Sequence, residues 1–293
     1  MALRRRKNMK VIKNRKYTYL LSIAIIVLGL VMFFVKGLNY GIDFTGGTLI
    51  QLNIGEFVEV ADAREFVDPF DTDASIIHAG ADKHELIIKS TLDLSNQEIS
   101  SIVDSFVEKY NMDDNNFQTQ KFGPLMGKEI QGRAILSVLI AAGLMLAYIS
   151  FRFQFKFGVA AIVALIHDVL VTLAIYSILR LPVNSSFIAA ILTIVGYSIN
   201  DTIVIFDRIR EELKLNQKET LENIVDGSVA LSLRRTINTT LTTIIAVSSL
   251  YFLGVEDIKV LALPLLLGMI AGTYSSLFIA TPVWFSLKKG KTN

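Results

Sequence analysis

Three ionisable side chains fall inside long apolar runs of this 293-residue sequence, where they could carry proton chemistry. Asp168 follows His167 near the middle of one run, and Asp201 follows Asn200 in the next. An Asp at bilayer depth costs about 2.5 to 3.5 kcal/mol on insertion scales, so such a residue is normally functional or paired. We predict that Asp201 responds to protons, with a helix–helix hydrogen bond as the alternative. His167 and Asp168 fit a polar relay and a packed polar pair between helices equally well.

Arg235 opens a further apolar run and begins a polar stripe. The stripe consists of four threonines at i, i+3, i+4 and i+7, namely Thr236, Thr239, Thr240 and Thr243. This spacing puts the hydroxyl groups on one helix face, which must contact protein or water rather than lipid. We predict that Thr239 and Thr243 act as polar relay or packing positions.

Arg235 lies at the inner depth expected for Asp201, so we predict that the two residues take part in proton coupling, with Asn200 beside them. Burial disfavours a charged carboxylate and a nearby guanidinium favours it, so the pair would be poised between two charge states. Protonation of Asp201 would release Arg235. The simpler interpretation of Arg235 is an anchor whose side chain reaches the inner headgroups.

Membrane-spanning helices have to position these residues. Apolar residues make up 52% of the chain, which excludes an ordinary soluble globular protein. Each apolar run is about long enough to cross a hydrocarbon core of roughly 30 Å at 1.5 Å per helical residue. The predicted spans are 17–35, 134–151, 157–178, 186–206, 236–253 and 260–287. The first follows eight basic residues, as in a signal peptide, but lacks a small-x-small cleavage site, so we predict an uncleaved anchor.

Charge is distributed unevenly along the chain. Residues 36–133 hold 8 Lys and Arg against 17 Asp and Glu. By contrast, 19 of the 29 Lys and Arg lie in the amino terminus 1–16, at Arg152 and Lys156, in the loop 207–235 and in the tail 288–293. The positive-inside rule makes these segments cytoplasmic, including both termini. The acidic region 36–133 is therefore predicted to lie outside the cytoplasm.

Region 36–133 has the pattern of one small domain. Alternating or β-branched runs predict strands at 47–54, 74–79, 85–89 and 116–122. A helix is predicted at 60–67, and Ser95 with Glu98 forms a capping box before a second helix. The order βαββαβ indicates an α+β ferredoxin-like domain between the first and second of six transmembrane helices. That fold carries no function by itself.

Several kinds of chemistry are excluded by what the sequence lacks. The chain has no cysteine, so a disulfide, a thiolate metal site and a cysteine nucleophile are impossible. It has no G-x-x-x-x-G-K-[ST] motif for nucleotide hydrolysis, so energy must come from a gradient or from partners. We therefore predict that the chain is not an enzyme and uses no cofactor, no metal and no nucleic-acid partner.

Several motifs together amount to a family resemblance. They are the turn Tyr40 to Gly47 with Gly41, Asp43, Gly46 and Gly47, Gly123-Pro124 with Gly127, His167-Asp168-Val169, Gly196 to Thr202, Phe206 to Glu211, and Arg235-Thr236. These stretches resemble the signatures of the SecD/SecF protein-export family, which lies in the resistance-nodulation-division superfamily. The single outer domain and the Asn-Asp form of the fourth-span motif look like the SecF branch of that family.

The resemblance implies a multi-pass subunit of the Sec protein-export machinery in the bacterial cytoplasmic membrane. Such a subunit uses the proton-motive force in late steps of polypeptide translocation, and Asp201 and Arg235 occupy positions implicated in proton-coupled conformational change. The partners implied are a six-span subunit resembling SecD, the Sec translocation channel, the translocating unfolded polypeptide and the lipid bilayer.

Three other functions compete with this interpretation. An intramembrane aspartyl protease would use Asp168 and Asp201 as a carboxylate pair about 3 Å apart. Half of a small-molecule exporter would need a drug pocket, for which an outer domain of this size leaves little room. A passive assembly factor would stabilise the translocase without using protons, and a transport assay with and without a proton gradient distinguishes it from the favoured function.

Overall fold

The structure is a computed structural model that describes residues 9–80, 82–113 and 116–289. The first eight residues of the predicted basic amino terminus and the last four of the predicted tail lie outside these residues. Within the described residues the helices are α1 (Val11–Lys36), α2 (Ile42–Thr45), α3 (Val60–Val67), α4 (Asn96–Tyr110), α5 (Pro124–Arg152), α6 (Phe155–Leu179), α7 (Ser185–Leu215), α8 (Leu221–Leu253), α9 (Glu256–Ser275) and α10 (Thr281–Lys289). A five-residue π-helix, Ser276–Ala280, joins α9 to α10. The strands are β1 (Asn39–Tyr40), β2 (Gly47–Asn53), β3 (Ser75–Ala79), β4 (Glu85–Ser90), β5 (Phe117–Phe122) and β6 (Pro182–Val183).

Six helical stretches among the described residues are long and apolar enough to cross a membrane. They are α1, α5, α6, α7, α8 and the stretch 258–289 that runs from α9 into α10. Most of the connection 207–235 is helical too, because α7 continues to Leu215 and α8 already begins at Leu221. The Thr220 hydroxyl accepts a hydrogen bond of 3.3 Å from the Asn223 N–H and so caps the start of α8.

The helices differ in how deeply they are buried. Over their most apolar stretches, 56% of α6 and 50% of α7 is buried, against 11% of α1 and of α5. Small residues allow the central helices to approach closely. A Cβ atom added at Gly272 of α9 would lie 2.9 Å from the Cβ of Ser198 on α7. The bundle is therefore built around α6, α7 and α9, with α1 and α5 at its edge.

Residues 47–122 form a separate unit, called here the sheet domain. Its strands β3, β4, β2 and β5 lie side by side in that order, and every neighbouring pair is antiparallel. Helices α3 and α4 contribute to a buried core that includes Ile50, Leu52, Leu86, Ile88 and Phe106. In chain order the unit reads strand, helix, strand, strand, helix, strand.

The capping box at the start of α4 forms with both of its hydrogen bonds. The Glu98 N–H donates to the Ser95 hydroxyl at 3.3 Å, and the Ser95 N–H donates to the Glu98 carboxylate at 2.7 Å. The bond from the backbone of Ser95 stabilises the charged carboxylate and lowers the pKa of Glu98 below its ordinary value.

The two ends of the bundle differ in the segments that they carry. The basic end carries the α7–α8 connection and the start of α1, where the Ile12 N–H donates to Asp226 of α8 at 3.0 Å. The domain end is the opposite one and carries the sheet domain, whose strand β3 contacts α9.

Candidate functional site

Asp201 lies on α7 where α8 and α9 pack against it, and only 5% of the residue is exposed. Its Oδ2 accepts a long hydrogen bond of 3.4 Å from the Thr240 hydroxyl on α8. Thr240 lies 2.8 Å from the hydroxyl of Thr273 on α9, which also reaches the Met269 carbonyl at 2.9 Å. A chain of oxygen atoms therefore starts at the carboxylate and crosses three helices.

The chain of oxygen atoms has more hydrogen-bond acceptors than protons to donate. Each of the two hydroxyl groups carries one proton, whereas Asp201, the Met269 carbonyl and the hydroxyl oxygens themselves can all accept. When Asp201 is charged, Thr273 can donate to Thr240 and Thr240 to the carboxylate. When Asp201 is protonated, it can donate to Thr240, Thr240 to Thr273 and Thr273 to the carbonyl. The same atoms thus accommodate both charge states with opposite hydrogen-bond directions.

Arg235 is exposed, but its positive charge is close enough to act on the Asp201 carboxylate. It lines an open cavity of about 760 Å³ between α7 and α8, together with Asp207, Arg208 and Glu211. Among the residues that the structure describes, no ion pair joins Arg235 to Asp201. Helical side chains lean toward the amino terminus of their own helix, so Arg235 on α8 leans toward the basic end and Asp201 on α7 leans toward the domain end.

The other residues predicted for this site are one exposed amide and two threonines that make hydrogen bonds. Asn200 is exposed on the outer face of α7 and does not join the oxygen chain. The Thr239 hydroxyl donates to the Arg235 carbonyl of its own helix at 2.9 Å. The Thr243 hydroxyl donates to the Thr239 carbonyl at 3.0 Å and accepts from the Tyr197 hydroxyl of α7 at 3.3 Å.

His167 and Asp168 form a second polar cluster on α6. Asp168 is completely buried; its Oδ1 lies 3.1 Å from His167 Nδ1, and its Oδ2 accepts a bond of 2.6 Å from the Ser198 hydroxyl on α7. The other ring nitrogen of His167 lies 2.9 Å from the Ser22 hydroxyl on α1. The cluster therefore links three helices: Ser198 of α7 contacts the Asp168 carboxylate directly, and Ser22 of α1 contacts it through His167.

The two carboxylates do not form a dyad. Asp168 bonds to Ser198, whereas Asp201, three residues further along α7, bonds to Thr240. Within the described residues no hydrogen bond joins Asp168 to Asp201. A proton-sharing pair of the aspartyl-protease type requires carboxylates about 3 Å apart. This arrangement gives that chemistry no support.

Sequence reasoning missed the serine partners of the second cluster. Ser22 lies 145 residues from His167, and serines inside apolar helices often bond only to their own backbone. Ser198 could have been found from the sequence, because it stands three residues before Asp201. In the structure, Gly272 allows α9 to approach Ser198 closely. The Ser276 hydroxyl of the π-helix was missed as well; it lies 2.8 Å from the Thr202 hydroxyl.

The predicted signature turn connects the sheet domain to the bundle. The Gly41 N–H donates to the Val183 carbonyl at 2.9 Å, and Asp43 accepts a bond of 2.9 Å from the Ser185 N–H at the start of α7. Gly46 and Gly47 have φ of 79° and 140°, which L side chains rarely adopt. These four residues therefore have structural roles at the domain end.

No group of three or more His, Asp and Glu side chains within the described residues could hold a metal ion.

Comparisons with known proteins agree with the motifs. The family described as "Protein export membrane protein SecD/SecF, C-terminal" matches residues 102–290, and the "SecD/SecF GG Motif" matches residues 31–54. The chain is 36% identical to protein translocase subunit SecF of Alicyclobacillus acidocaldarius, over 94% of this chain and 91% of that one. It is 38% identical to SecF of Desulfurispirillum indicum, over 91% of this chain and 88% of that one.

Longer proteins match as well. The chain is 36% identical to protein translocase subunit SecDF of Bacillus subtilis, over 94% of this chain but 37% of that one. The crystal structure of SecDF, a translocon-associated membrane protein from Thermus thermophilus, matches with a TM-score of 0.82 at 34% identity. That match covers 97% of this chain and 39% of the SecDF chain, so this chain spans about two fifths of it. The chain therefore belongs to the SecD/SecF family of protein-export membrane proteins.

Proposed function

We propose that this membrane protein is a subunit of the bacterial Sec protein-export machinery that couples the proton-motive force to late steps of polypeptide translocation. Relatives that match over nearly their whole length carry the name protein translocase subunit SecF, which supports the export role. The proton coupling rests on the chemistry of the Asp201 site.

The observation that carries the proton coupling is the oxygen chain from Asp201 through Thr240 to Thr273. A charged carboxylate in low dielectric is costly unless it is paired, and here it has one long hydrogen bond and no ion pair among the described residues. The charge of Arg235 acts on it only from beyond ion-pair distance. Adding a proton removes that cost and reverses the direction of the hydroxyl bonds. Proton binding at Asp201 therefore changes the contacts between α7, α8 and α9.

Arg235 completes the cycle in this proposal. Its present position in the cavity at the basic end is the one expected when Asp201 is protonated, because a neutral acid does not attract a guanidinium. Loss of the proton would draw Arg235 along α8 toward the carboxylate. A proton crossing the membrane releases about 2.3 kcal/mol per 100 mV, so repeated cycles can bias two helix arrangements.

The His167–Asp168 cluster has a different role in this proposal. Asp168 is completely buried and both of its oxygens have partners within 3.1 Å on neighbouring side chains. We infer that the cluster is a packed polar tie between α1, α6 and α7 and not a relay.

The sheet domain is proposed to be a ferredoxin-like domain outside the cytoplasm, with both chain termini in the cytoplasm. The strand order given above and the excess of acidic residues in 36–133 support this orientation. Protease added to the cytoplasmic face should leave the sheet domain intact. Cleavage within 47–122 from that face would contradict the topology.

A second six-span subunit resembling SecD is proposed as the obligate partner, beside the Sec channel and the translocating polypeptide. The exposed faces of α7 and α8 carry polar residues that do not suit lipid, namely Thr193, Asn200, Asn238 and Thr242. SecDF of Bacillus subtilis, of which this chain covers 37%, also supports a larger assembly. A fully active, monodisperse chain purified from cells without that partner would contradict the proposal.

The decisive experiment measures precursor release from membrane vesicles that contain the export machinery, with and without an imposed pH gradient. Asp201→Asn keeps the size of the side chain and removes its titratable group. We expect wild-type release to rise with the gradient and Asp201→Asn release to be the same in both conditions. Asp104→Asn makes the same change at an exposed position of α4 and should behave as wild type. Gradient-dependent release by Asp201→Asn would contradict the proposal.

A further inference from the structure

Asp43 makes a hydrogen bond that joins the foot of the sheet domain to the first residue of α7. Its Oδ2 accepts from the Ser185 N–H at 2.9 Å, across 142 residues of sequence. The first N–H groups of a helix have no partner within the helix, and a negative charge there is favourable. Asn184, the residue before α7, satisfies the Phe187 N–H at 3.0 Å. The Ser185 N–H is thus bonded by Asp43, a residue from a distant segment, and not by the local sequence.

The contact is part of a short parallel pairing of two strands. Asn39 and Tyr40 of β1 pair with Pro182 and Val183 of β6, directly before α7. The Gly41 N–H continues the pairing with a bond to the Val183 carbonyl at 2.9 Å. Segment 39–43 therefore follows the start of α7 through backbone bonds as well as through the Asp43 carboxylate.

On its other side the same segment is fixed to the sheet domain and to α5. The Phe44 carbonyl accepts a bond of 2.9 Å from the Gln131 side chain, and a Cβ atom at Gly127 would collide with that carbonyl. A Cβ atom at Gly47 would collide with the Ser90 carbonyl at the end of β4. Gly47 is also the first residue of β2, which lies between β4 and β5. The chain has no room to flex between Asp43 and the sheet.

Segment 39–47 follows the end of α1 after two residues. Gly37, which follows the last residue of α1, has φ of 67° and no atom within 4 Å of the place where a Cβ would stand. It is held by Arg180 of the α6–β6 connection, whose guanidinium donates to the Lys36 carbonyl at 2.8 Å and the Gly37 carbonyl at 2.9 Å. The end of α1 is therefore tied to the end of α6 through Arg180.

We propose that Asp43 is a positioning residue that transmits displacement of α7 to the sheet domain. Ser185 and Asp201 lie on the same helix, sixteen residues or about 24 Å apart, so a shift of α7 at the proton site moves its first turn as well. Asp43 and the paired strands carry that shift into β2 and so into the sheet domain. The inference rests on the proton-driven function proposed above.

Two substitutions remove the contact from opposite sides. Asp43→Ala deletes the acceptor, whereas Asp43→Asn keeps an oxygen that can accept. Ser185→Pro deletes the donor, and proline is well tolerated at the first position of a helix. Asn184 is already extended, with φ of −135° and ψ of −174°, as a residue before proline requires. Ser185→Pro therefore keeps the test valid if Asp43→Ala fails to accumulate.

The test measures distances in the reconstituted complex by pulsed electron paramagnetic resonance. The chain has no cysteine, so spin labels attach only at introduced sites. One labelled pair, Ser101→Cys on α4 with Leu179→Cys at the end of α6, reports the sheet domain against the bundle. A second pair, Leu215→Cys at the end of α7 with Phe155→Cys on α6, reports α7 itself. All four positions are exposed. The distance within each labelled pair is measured in a chain that keeps Asp201 and in one that carries Asp201→Asn.

We expect Asp201→Asn to shift both distances in the otherwise wild-type chain and in Asp43→Asn. In Asp43→Ala and in Ser185→Pro the α7 pair should still shift, while the sheet-domain pair should not, and gradient-dependent export should be lost. A full sheet-domain shift in both Asp43→Ala and Ser185→Pro would overturn the inference and leave the proton proposal standing. Absence of any α7 shift together with gradient-independent wild-type export would overturn both.

Discussion

Two aspartates on neighbouring helices of this bundle have opposite surroundings. Asp168 is completely buried, and its partners lie at 2.6 Å and 3.1 Å on two side chains, Ser198 and His167. Asp201 is 5% exposed and has one bond of 3.4 Å to a threonine that must also serve a second hydroxyl. The two carboxylates therefore differ in the number and closeness of their partners although both lie inside membrane-spanning helices. Our proposal assigns proton binding to the less well partnered one, Asp201.

Replacing the cation that would pair with Asp201 should have the largest functional effect. Arg235 is exposed and makes no ion pair among the described residues, so Arg235→Met should leave stability nearly unchanged. We expect it to abolish gradient-dependent precursor release, because the charged form of Asp201 would then have no partner. Vesicle export with and without a pH gradient measures this. Arg234→Met, at the exposed neighbouring position, should retain gradient dependence, and equal loss in both variants would contradict a specific role of Arg235.

Removing the structural carboxylate should have the largest effect on stability. Asp168→Ala leaves His167 and Ser198 buried without their common partner, and breaking a buried pair from one side typically costs about 3 to 5 kcal/mol. Asp201→Ala removes one weak bond, worth about 1 kcal/mol. Thermal unfolding of the two variants in detergent, followed by size-exclusion chromatography, compares these losses. Equal losses would contradict the distinction drawn between the two sites.

The close packing around Asp168 can be tested without touching a polar group. A Cβ atom at Gly272 would lie 2.9 Å from the Ser198 Cβ and 3.0 Å from its hydroxyl oxygen. Gly272→Ala should force α9 away from α7 and cost about 1 to 3 kcal/mol, as overpacking usually does. Gly143→Ala on α5, where no atom lies within 4 Å of the new Cβ, is the matched control. A Gly272→Ala protein as stable as the control would contradict close packing of α9 against Ser198.

The smallest effect is expected far from both aspartates, at the capping box of α4. Because the Ser95 N–H lowers the pKa of Glu98 in the folded state, its contribution to stability is present above the ordinary value of 4.5. That contribution is lost as the pH falls through the lowered value. Hydrogen exchange of the first turn of α4, corrected for intrinsic rates, should rise in acid in the wild type and change less in Glu98→Gln. An identical acid response in the two proteins would contradict this assignment.

Local patterns in the sequence predicted most of the regular elements. The alternation at 47–54 and 85–89 agrees with β2 and β4 to within a residue, and Ser95 with Glu98 marked the start of α4. Apolar runs located the spans but not the helix ends, because a helix continues into water on charged residues that hydropathy does not count. α7 extends nine residues past the predicted end at 206 for this reason.

Elements fixed by distant contacts could not be predicted. Helix α2 has four residues, too few to be stable alone, and it is held by the burial of Phe44 against Tyr176 and Phe187. The pairing of β1 with β6 joins segments about 140 residues apart. In the site, the threonine stripe predicted the face that Asp201 meets. Whether Arg235 and Asp201 form an ion pair depends on the opposite directions of α7 and α8, which residue spacing within one helix does not reveal.

The π-helix Ser276–Ala280 divides the last span into two parts. Its extra residue changes the direction in which side chains point around the helix axis on either side of it. A π turn holds one residue more than an α turn, so moving it along the helix re-aims the side chains it passes by about 100° each. Thr273, which bonds to Thr240, lies just before this turn, whereas Trp284, stacked on Phe157 at 4.6 Å, lies beyond it. A shift of the extra residue toward α9 would turn Thr273 away from the oxygen chain and leave the aromatic stack in place. The π turn thus separates the part of the last span that bonds to the oxygen chain from the part that carries the aromatic stack.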